Sequence, residues 1–100
     1  MTSIAREDYL KAIWKLGSSN IGTLELANHL GVTPASTTNM ILKLSENGLV
    51  NHKPYKGASL TEIGLKQALS VVRRHRLLET FLSKTLGLSN ENLHVEAERL

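Results

Sequence analysis

Residues 33–49 read T-P-A-S-T-T-N-M-I-L-K-L-S-E-N-G-L. The pattern predicts one helix with a start signal, a stop signal and two unlike faces. Thr33 suits the N-cap, and Pro34 suits the first helical position, where its missing N–H costs nothing. Thr37, Met40, Ile41 and Leu44 recur at helical spacing and form a face for burial. Ala35, Ser36, Thr38, Asn39 and Lys43 fall largely elsewhere. Gly48, preceded by Asn47, stops the helix as a C′ glycine. A helix face turned to water normally carries Glu and Lys. A face of small, polar and basic residues suits a helix that presses against phosphates and base edges. Just upstream, T-L-E-L-A-N-H-L at 23–30 is a short amphipathic segment, followed by Gly31-Val32. A short helix, a turn containing glycine and a second helix that opens with small polar residues form a helix-turn-helix pattern.

Working outward, Ala5–Leu16 reads as a preceding helix, with Tyr9, Leu10, Ile13, Trp14 and Leu16 as its apolar stripe. Gly17-Ser18-Ser19-Asn20 stops it. Ile21-Gly22 leads into the second helix, for which Thr23 is the expected N-cap. After the 33–49 stretch, Leu49–Lys53 and Ala58–Leu60 read as two strands around a Pro54-Tyr55-Lys56-Gly57 turn. A hairpin directly behind a helix-turn-helix is a wing. Lys53, Tyr55 and Lys56 at its tip are expected to lie along a phosphate backbone. A long helix follows from Thr61-Glu62 to Leu86, with Ile63, Leu65, Leu69, Val72, Leu77, Phe81 and Leu82 at apolar positions. At roughly 35 Å it exceeds what a small winged domain needs and reads as a connector into a second module. Gly87 ends it, and Ser89 caps a further helix still running at Leu100, which reads as part of an incomplete module. The expected fold is mainly α with a small β-hairpin.

The chain has 100 residues, 41% hydrophobic and 21% charged, enough for one small domain, or for one domain plus part of another. With no cysteine there is neither a disulfide framework nor a thiolate metal site. No apolar run is long enough to span a bilayer and no N-terminal apolar core of a signal peptide is present, so the chain reads as cytoplasmic, without a membrane partner. The net charge of +3 is unevenly placed. Residues 33–76 hold seven Lys and Arg against Glu46 and Glu62, a net +5. Residues 77–100 hold Lys84 and Arg99 against four glutamates, a net −2. A basic middle containing the candidate recognition helix suits a polyanion. No phosphate-binding glycine loop and no nucleophile–base constellation points to an enzyme.

One set of residues offers metal chemistry. His75 and Glu79 are four apart on the long helix and share a face. His94 follows on the last segment, with Glu98 four residues beyond, and Asp8 lies in the first helix. Imidazole and carboxylate donors without sulfur suit Mn²⁺, Fe²⁺, Ni²⁺ or Zn²⁺. From spacing alone, His75 and Glu79 read first as a solvated pair, and Asp8 as a first-turn carboxylate facing the helix dipole. His29 and His52 read as surface residues, and Arg73, Arg74 and Arg76 as either a solvated face or a neighbour of phosphate.

The sequence resembles the metal-dependent repressors typified by the diphtheria toxin repressor and the manganese transport regulator. The matching stretches are E-D-Y-L-K-A-I at 7–13, L-A-N-H-L-G-V at 26–32, the helix around Ser36–Leu44, E-N-G-L-V at 46–50, L-T-E-I-G at 60–64, R-H-R-L-L-E at 74–79 and H-V-E-A-E at 94–98. They span essentially the whole chain. The resemblance implies a winged helix-turn-helix DNA-binding domain over 1–62, followed over 63–100 by the N-terminal part of a helical dimerisation and metal-binding domain. It implies that His75, Glu79 and His94 hold one metal ion, the ancillary site of iron-type members, and that Asp8 and Glu98 match ligands of the regulatory site. At the position of Asp8 the iron type has Met and the manganese type Asp; at that of Glu98 the iron type has Cys and the manganese type Glu. The hard oxygen donors here point towards manganese. Lys11 stands where the manganese type has a Glu ligand, and His94 is a feature of the iron type. The family's next ligands, a Glu and a His, would lie just after Leu100.

The reading is therefore a non-enzymatic, metal-responsive transcriptional repressor. It takes Mn²⁺ or Fe²⁺ and binds a palindromic operator in double-stranded DNA as a homodimer when the full dimerisation module is present. The candidate DNA-binding residues are Thr33, Ala35, Ser36, Thr38, Asn39, Lys43, Lys53, Tyr55 and Lys56. The alternatives are a winged-helix DNA-binding regulator without a metal response and a small metallohydrolase using His75, Glu79 and His94.

Overall fold

The breaks read at Gly17, Gly31 and Gly48 are where the chain turns in the computed structural model, whose backbone is described for residues 2–86 and side chains for residues 6–85. All three glycines have positive φ. The order is α1 (Thr2–Lys15), α2 (Thr23–Leu30), α3 (Pro34–Glu46), β1 (Val50–Lys53), β2 (Gly57–Leu60) and α4 (Glu62–Leu86). This is the winged helix-turn-helix followed by a long helix that the sequence predicts. The last helix expected after Ser89 lies outside the described residues. The chain divides into two compact units, the first ending at Leu69 and the second beginning at Ser70.

The core of the first unit gathers Leu10 and Ile13 of α1, Leu26 of α2, Ile41 and Leu44 of α3, Val50 of β1 and Ala58 of β2, all at most 2% exposed. Each large aliphatic side chain buried this fully contributes about 1.5–3 kcal/mol. One polar group enters the core. Thr37 is fully buried on α3, and its hydroxyl donates to the Thr33 carbonyl at 3.1 Å. With that proton committed, Thr37 Oγ1 accepts from the Tyr9 hydroxyl at 3.3 Å. The buried hydroxyls of α1 and α3 thus satisfy each other, as burial demands.

Several boundaries differ from the sequence reading. Helix α1 begins at Thr2 rather than Ala5, since nothing in residues 2–4 breaks a helix, and it ends at Lys15. Thr23 is the first residue of α2 and not its cap. Gly22 holds the cap position with extended geometry, because its carbonyl accepts the first helical bond, from Leu26 N at 2.9 Å. Helix α3 stops at Glu46, one residue early, with Asn47 as its C-cap. The strands are Val50–Lys53 and Gly57–Leu60, paired antiparallel with Lys53 opposite Gly57 and Val50 opposite Leu60.

The wing also has a third member that sequence reading treated as a lead-in. Ile21 bridges Ala58, with Ile21 N donating to Ala58 O at 2.9 Å and Ala58 N to Ile21 O at 2.8 Å. A Cβ on Gly57 would overlap the Ile21 carbonyl oxygen, so that position must be glycine for the bridge to form. The wing is thereby fastened to the segment between α1 and α2.

At the other end of the wing, Thr61 caps α4. Its Oγ1 accepts from Gly64 N at 3.0 Å and donates to Gly48 O at 2.7 Å. One side chain thus joins the start of α4 to the end of α3. Along α4 the expected apolar stripe is divided. Ala68, Val71, Val72 and Leu82 are buried, whereas Ile63, Leu65, Leu77 and Phe81 are exposed among the described residues. The sequence marks these positions only as apolar, and burial separates Val72 and Leu82 from Ile63, Leu65, Leu77 and Phe81. Helical periodicity alone does not distinguish a face with a partner from one without.

Candidate nucleic-acid interface and metal-ligating residues

Helix α3 presents its polar face because its apolar face is spent on the core. Thr37, Ile41 and Leu44 are buried, while Thr33, Ala35, Ser36, Thr38, Asn39 and Lys43 are all exposed. Thr33 has extended backbone geometry and its side chain accepts from Ser36 N at 3.1 Å, confirming the cap. Its hydroxyl also meets Ser36 Oγ at 2.9 Å. The first turn of α3 is thus held by the Thr33 side chain, which satisfies Ser36 N and meets the Ser36 hydroxyl. Thr38 and Asn39 follow within the next turn. The turn from α2 is short, with Gly31 left-handed at φ 69° and Val32 N bonded to Ala27 O at 3.1 Å.

The wing supplies the second surface. Lys53, Tyr55 and Lys56 are exposed, and Tyr55 projects from the tip, more exposed than in an extended reference at 107%. Its φ of 65° lies in the left-handed region, a placement that costs a bulky side chain about 1 kcal/mol or more. Asn20, Asn51, Lys53, Lys56, Gly57 and Ser59 line a polar cleft of about 260 Å³ beside the wing. Asn51 and Ser59 face each other across the strands, and Ser59 Oγ accepts from Asn20 N at 2.9 Å. Lys53 and Lys56 are legible in the sequence, whereas the place of Asn20, Asn51 and Ser59 in the same cleft is not. The two-residue alternation does put Asn51 on the same face as Lys53.

Lys56 is an exposed cation near this tip. We expect Lys56→Ala to weaken binding to every DNA sequence alike. It should also lower the slope of log affinity against log salt by about one unit, because one fewer counterion is released. A titration across salt concentrations reads this directly, and an unchanged slope would remove the wing tip from the interface.

The metal candidates are reached only in part. Asp8 is half-buried on α1, and His75 and Glu79 are half-buried one turn apart on α4. Their nitrogen and oxygen donors fit a first-row divalent metal. Among the described residues no group of three or more His, Asp or Glu side chains is gathered closely enough to hold a metal ion. His94 and Glu98 lie outside the described residues. Lys11 of α1 is buried at 8% exposure. His29 and His52 are exposed, as are Arg73, Arg74 and Arg76. No described helix is long and apolar enough to cross a membrane.

Comparison with known proteins agrees with this geometry. Residues 1–58 match the family described as "Iron dependent repressor, N-terminal DNA binding domain". Residues 61–100 match "Iron dependent repressor, metal binding and dimerisation domain". An uncharacterised HTH-type transcriptional regulator of Methanocaldococcus jannaschii is 39% identical over 97 residues, 94% of this chain and 78% of that protein. The HTH-type transcriptional regulator MntR of Lysinibacillus sphaericus is 32% identical over 102 residues, covering 98% of this chain and 71% of its own. A solved manganese-dependent transcriptional repressor in complex with manganese superposes with a TM-score of 0.84 at 42% identity. That match covers 94% of this chain but 44% of the repressor, so the chain spans less than half the length of that relative. These relatives are transcription regulators rather than enzymes, and the chain belongs to the iron-dependent repressor family.

Proposed function

We propose that this protein is a metal-responsive transcriptional repressor that binds double-stranded DNA through α3 and the wing. The observation that carries the reading is the exposed Ala35-Ser36-Thr38-Asn39-Lys43 face of α3, on a helix anchored by its opposite face and by the Thr33 cap. A helix of this kind lays its N-terminal residues against base edges in the major groove, with the wing on the flanking backbone. The operator is a palindrome read by a homodimer, whose two-fold symmetry repeats the half-site. The protein acts in the cytoplasm.

His75, Glu79 and His94 hold one divalent metal ion, and Asp8 and Glu98 contribute to a second, regulatory site. Mn²⁺ is favoured over Fe²⁺ because all the donors are nitrogen or hard oxygen, and because the repressor solved with manganese is a relative of this chain. When bound, the metal supplies cross-linking charge between segments of the chain. The protein's own contribution is to populate two arrangements, of which the metal favours the one whose recognition helices match the operator spacing.

The test is a DNA titration of the full chain with and without Mn²⁺. Selection from random sequence supplies the operator. Metal should tighten operator binding, and Asn39→Ala should cost about 1–3 kcal/mol on the operator, the value of a good base contact, while leaving random DNA nearly unaffected. If Asn39→Ala weakens both equally, Asn39 is a backbone contact. If metal changes nothing, the regulator is a winged-helix protein without a metal response.

A further inference from the structure

A second cleft lies between α1 and α3, away from the wing. We propose that Arg6, Lys43 and Asn47 form a phosphate-binding site that grips a backbone phosphate of double-stranded DNA, extending the interface from the recognition helix onto the first helix. The proposal rests on the DNA-binding reading above and assigns Arg6 and Asn47 a part in it.

The placement follows from one buried bond. The Tyr9 hydroxyl meets Thr37 Oγ1 and sets where α1 lies against α3. Arg6 is three residues before Tyr9, on the same side of α1. Met40, Lys43 and Asn47 follow Thr37 at steps of three, three and four, a row that winds from the buried side of α3 to its exposed side and ends at the C-cap. The N-terminal part of α1 therefore lies beside the C-terminal half of α3. Arg6, Met40, Lys43 and Asn47 together line an opening of about 260 Å³.

The chemistry of the lining is that of an anion site. Met40 is half-buried and packs against the core, which makes an apolar floor. Above it stand a guanidinium, an ammonium and an amide. Among the described residues neither Arg6 nor Lys43 has a carboxylate within ion-pair distance. Two cations that share an opening repel each other, and an anion between them relieves that repulsion. Arg offers paired N–H donors that match phosphate oxygens, Lys adds a point charge and Asn adds one more donor. The volume is several times the roughly 30 Å³ a water occupies, which leaves room for a hydrated phosphodiester.

The position selects a phosphate of DNA. Lys43 is four residues beyond Asn39, so it stands one turn, about 5.4 Å, further along α3 on the exposed side. A duplex whose base edges meet Asn39 carries its strand backbone past that turn. Arg6 reaches the same strand from the neighbouring helix. A solvated cleft with two mutually avoiding cations would have the same lining but no effect on binding.

The experiment measures binding of the full chain to a random-sequence duplex across salt concentrations, because a phosphate contact is independent of sequence. Arg6→Ala should weaken binding by a factor of roughly three to ten at low salt and lower the salt slope by about one unit. Arg6→Lys, which keeps the charge, should restore the slope. Thermal unfolding of Arg6→Ala and Arg6→Lys should match the wild type, and if Arg6→Ala alone is unstable, Arg6→Gln replaces it in the same titration. A wild-type affinity and slope in Arg6→Ala, with both reduced in Lys43→Ala, would overturn the cleft while sparing the DNA-binding reading. Wild-type protein that fails to bind DNA at all would overturn that reading itself. Titration with inorganic phosphate separates the remaining source: loss of phosphate binding in Arg6→Ala with DNA binding intact would assign the cleft to a free anion and sink the proposal.

Discussion

Gly64→Ala should lower the stability of the winged unit by about 2–3 kcal/mol, the cost of forcing a methyl group into a packed site. In an ordinary helix the same change would stabilise by about 1 kcal/mol, because alanine is the better helix former. Here sterics win. Gly64 is buried in the first turn of α4, and a Cβ there would overlap the Leu49 carbonyl oxygen and stand 2.9 Å from its carbon. That carbonyl is not free to retreat, since it accepts from Thr61 N at 3.0 Å. Moving α4 away would stretch the Thr61 hydroxyl bond to Gly48 O and loosen the end of α3. For a domain of this size the loss corresponds to a fall in Tm of roughly 10–20 °C. Thermal or urea unfolding would show it. A midpoint equal to or above the wild type would mean that α4 does not approach Leu49 so closely.

His75→Ala should remove most of the protein's affinity for Mn²⁺, or for a spectroscopic surrogate such as Co²⁺. His75 and Glu79 share a half-buried face of α4, and His75 supplies the nitrogen donor of the pair. Because imidazole binds metal in its neutral form, wild-type affinity should fall on acidification, as protons compete for the nitrogen. Metal that binds the folded protein alone also raises its stability, by about 2.7 kcal/mol at a hundredfold excess over Kd. Added metal should thus raise the unfolding midpoint of the wild type and leave that of His75→Ala where it was. The winged unit should stay folded in the variant, as its core contains no part of His75. Calorimetric titration reads the affinity. Equal metal binding by the two proteins would remove His75 from the site and favour the regulator without a metal response.

Much of this molecule is local and therefore legible in the chain. Thr33-Pro34 at the start of α3 and Asn47-Gly48 at its end are signals that act within a few residues, and the structure places both ends within one residue of the reading. The burial of Thr37, Ile41 and Leu44 follows from a period of 3.6, which any helix must obey. The choice of exposed residues on α3 and at the wing tip follows by subtraction. The His75–Glu79 spacing is likewise a property of one helix.

What escaped the sequence depends on segments far apart in the chain. Ile21 joins the wing because Ala58 offers it two hydrogen bonds, and no periodicity within either segment announces a partner thirty-seven residues away. Gly57 and Gly64 read locally as turn and helix residues, yet each is required by a carbonyl brought against it from elsewhere, that of Ile21 and that of Leu49. The cleft of Arg6 with Lys43 exists because Tyr9 and Thr37 meet in the core. The exposure of Ile63 and Phe81 beside the burial of Val72 and Leu82 was equally beyond the pattern of α4. The sequence by itself determined the order of the helices, the Thr33 cap of α3 and the polar face offered to DNA, because those depend on contacts within a turn. Tertiary structure decided which backbones touch and which charges share a cleft, because those depend on how separate faces pack.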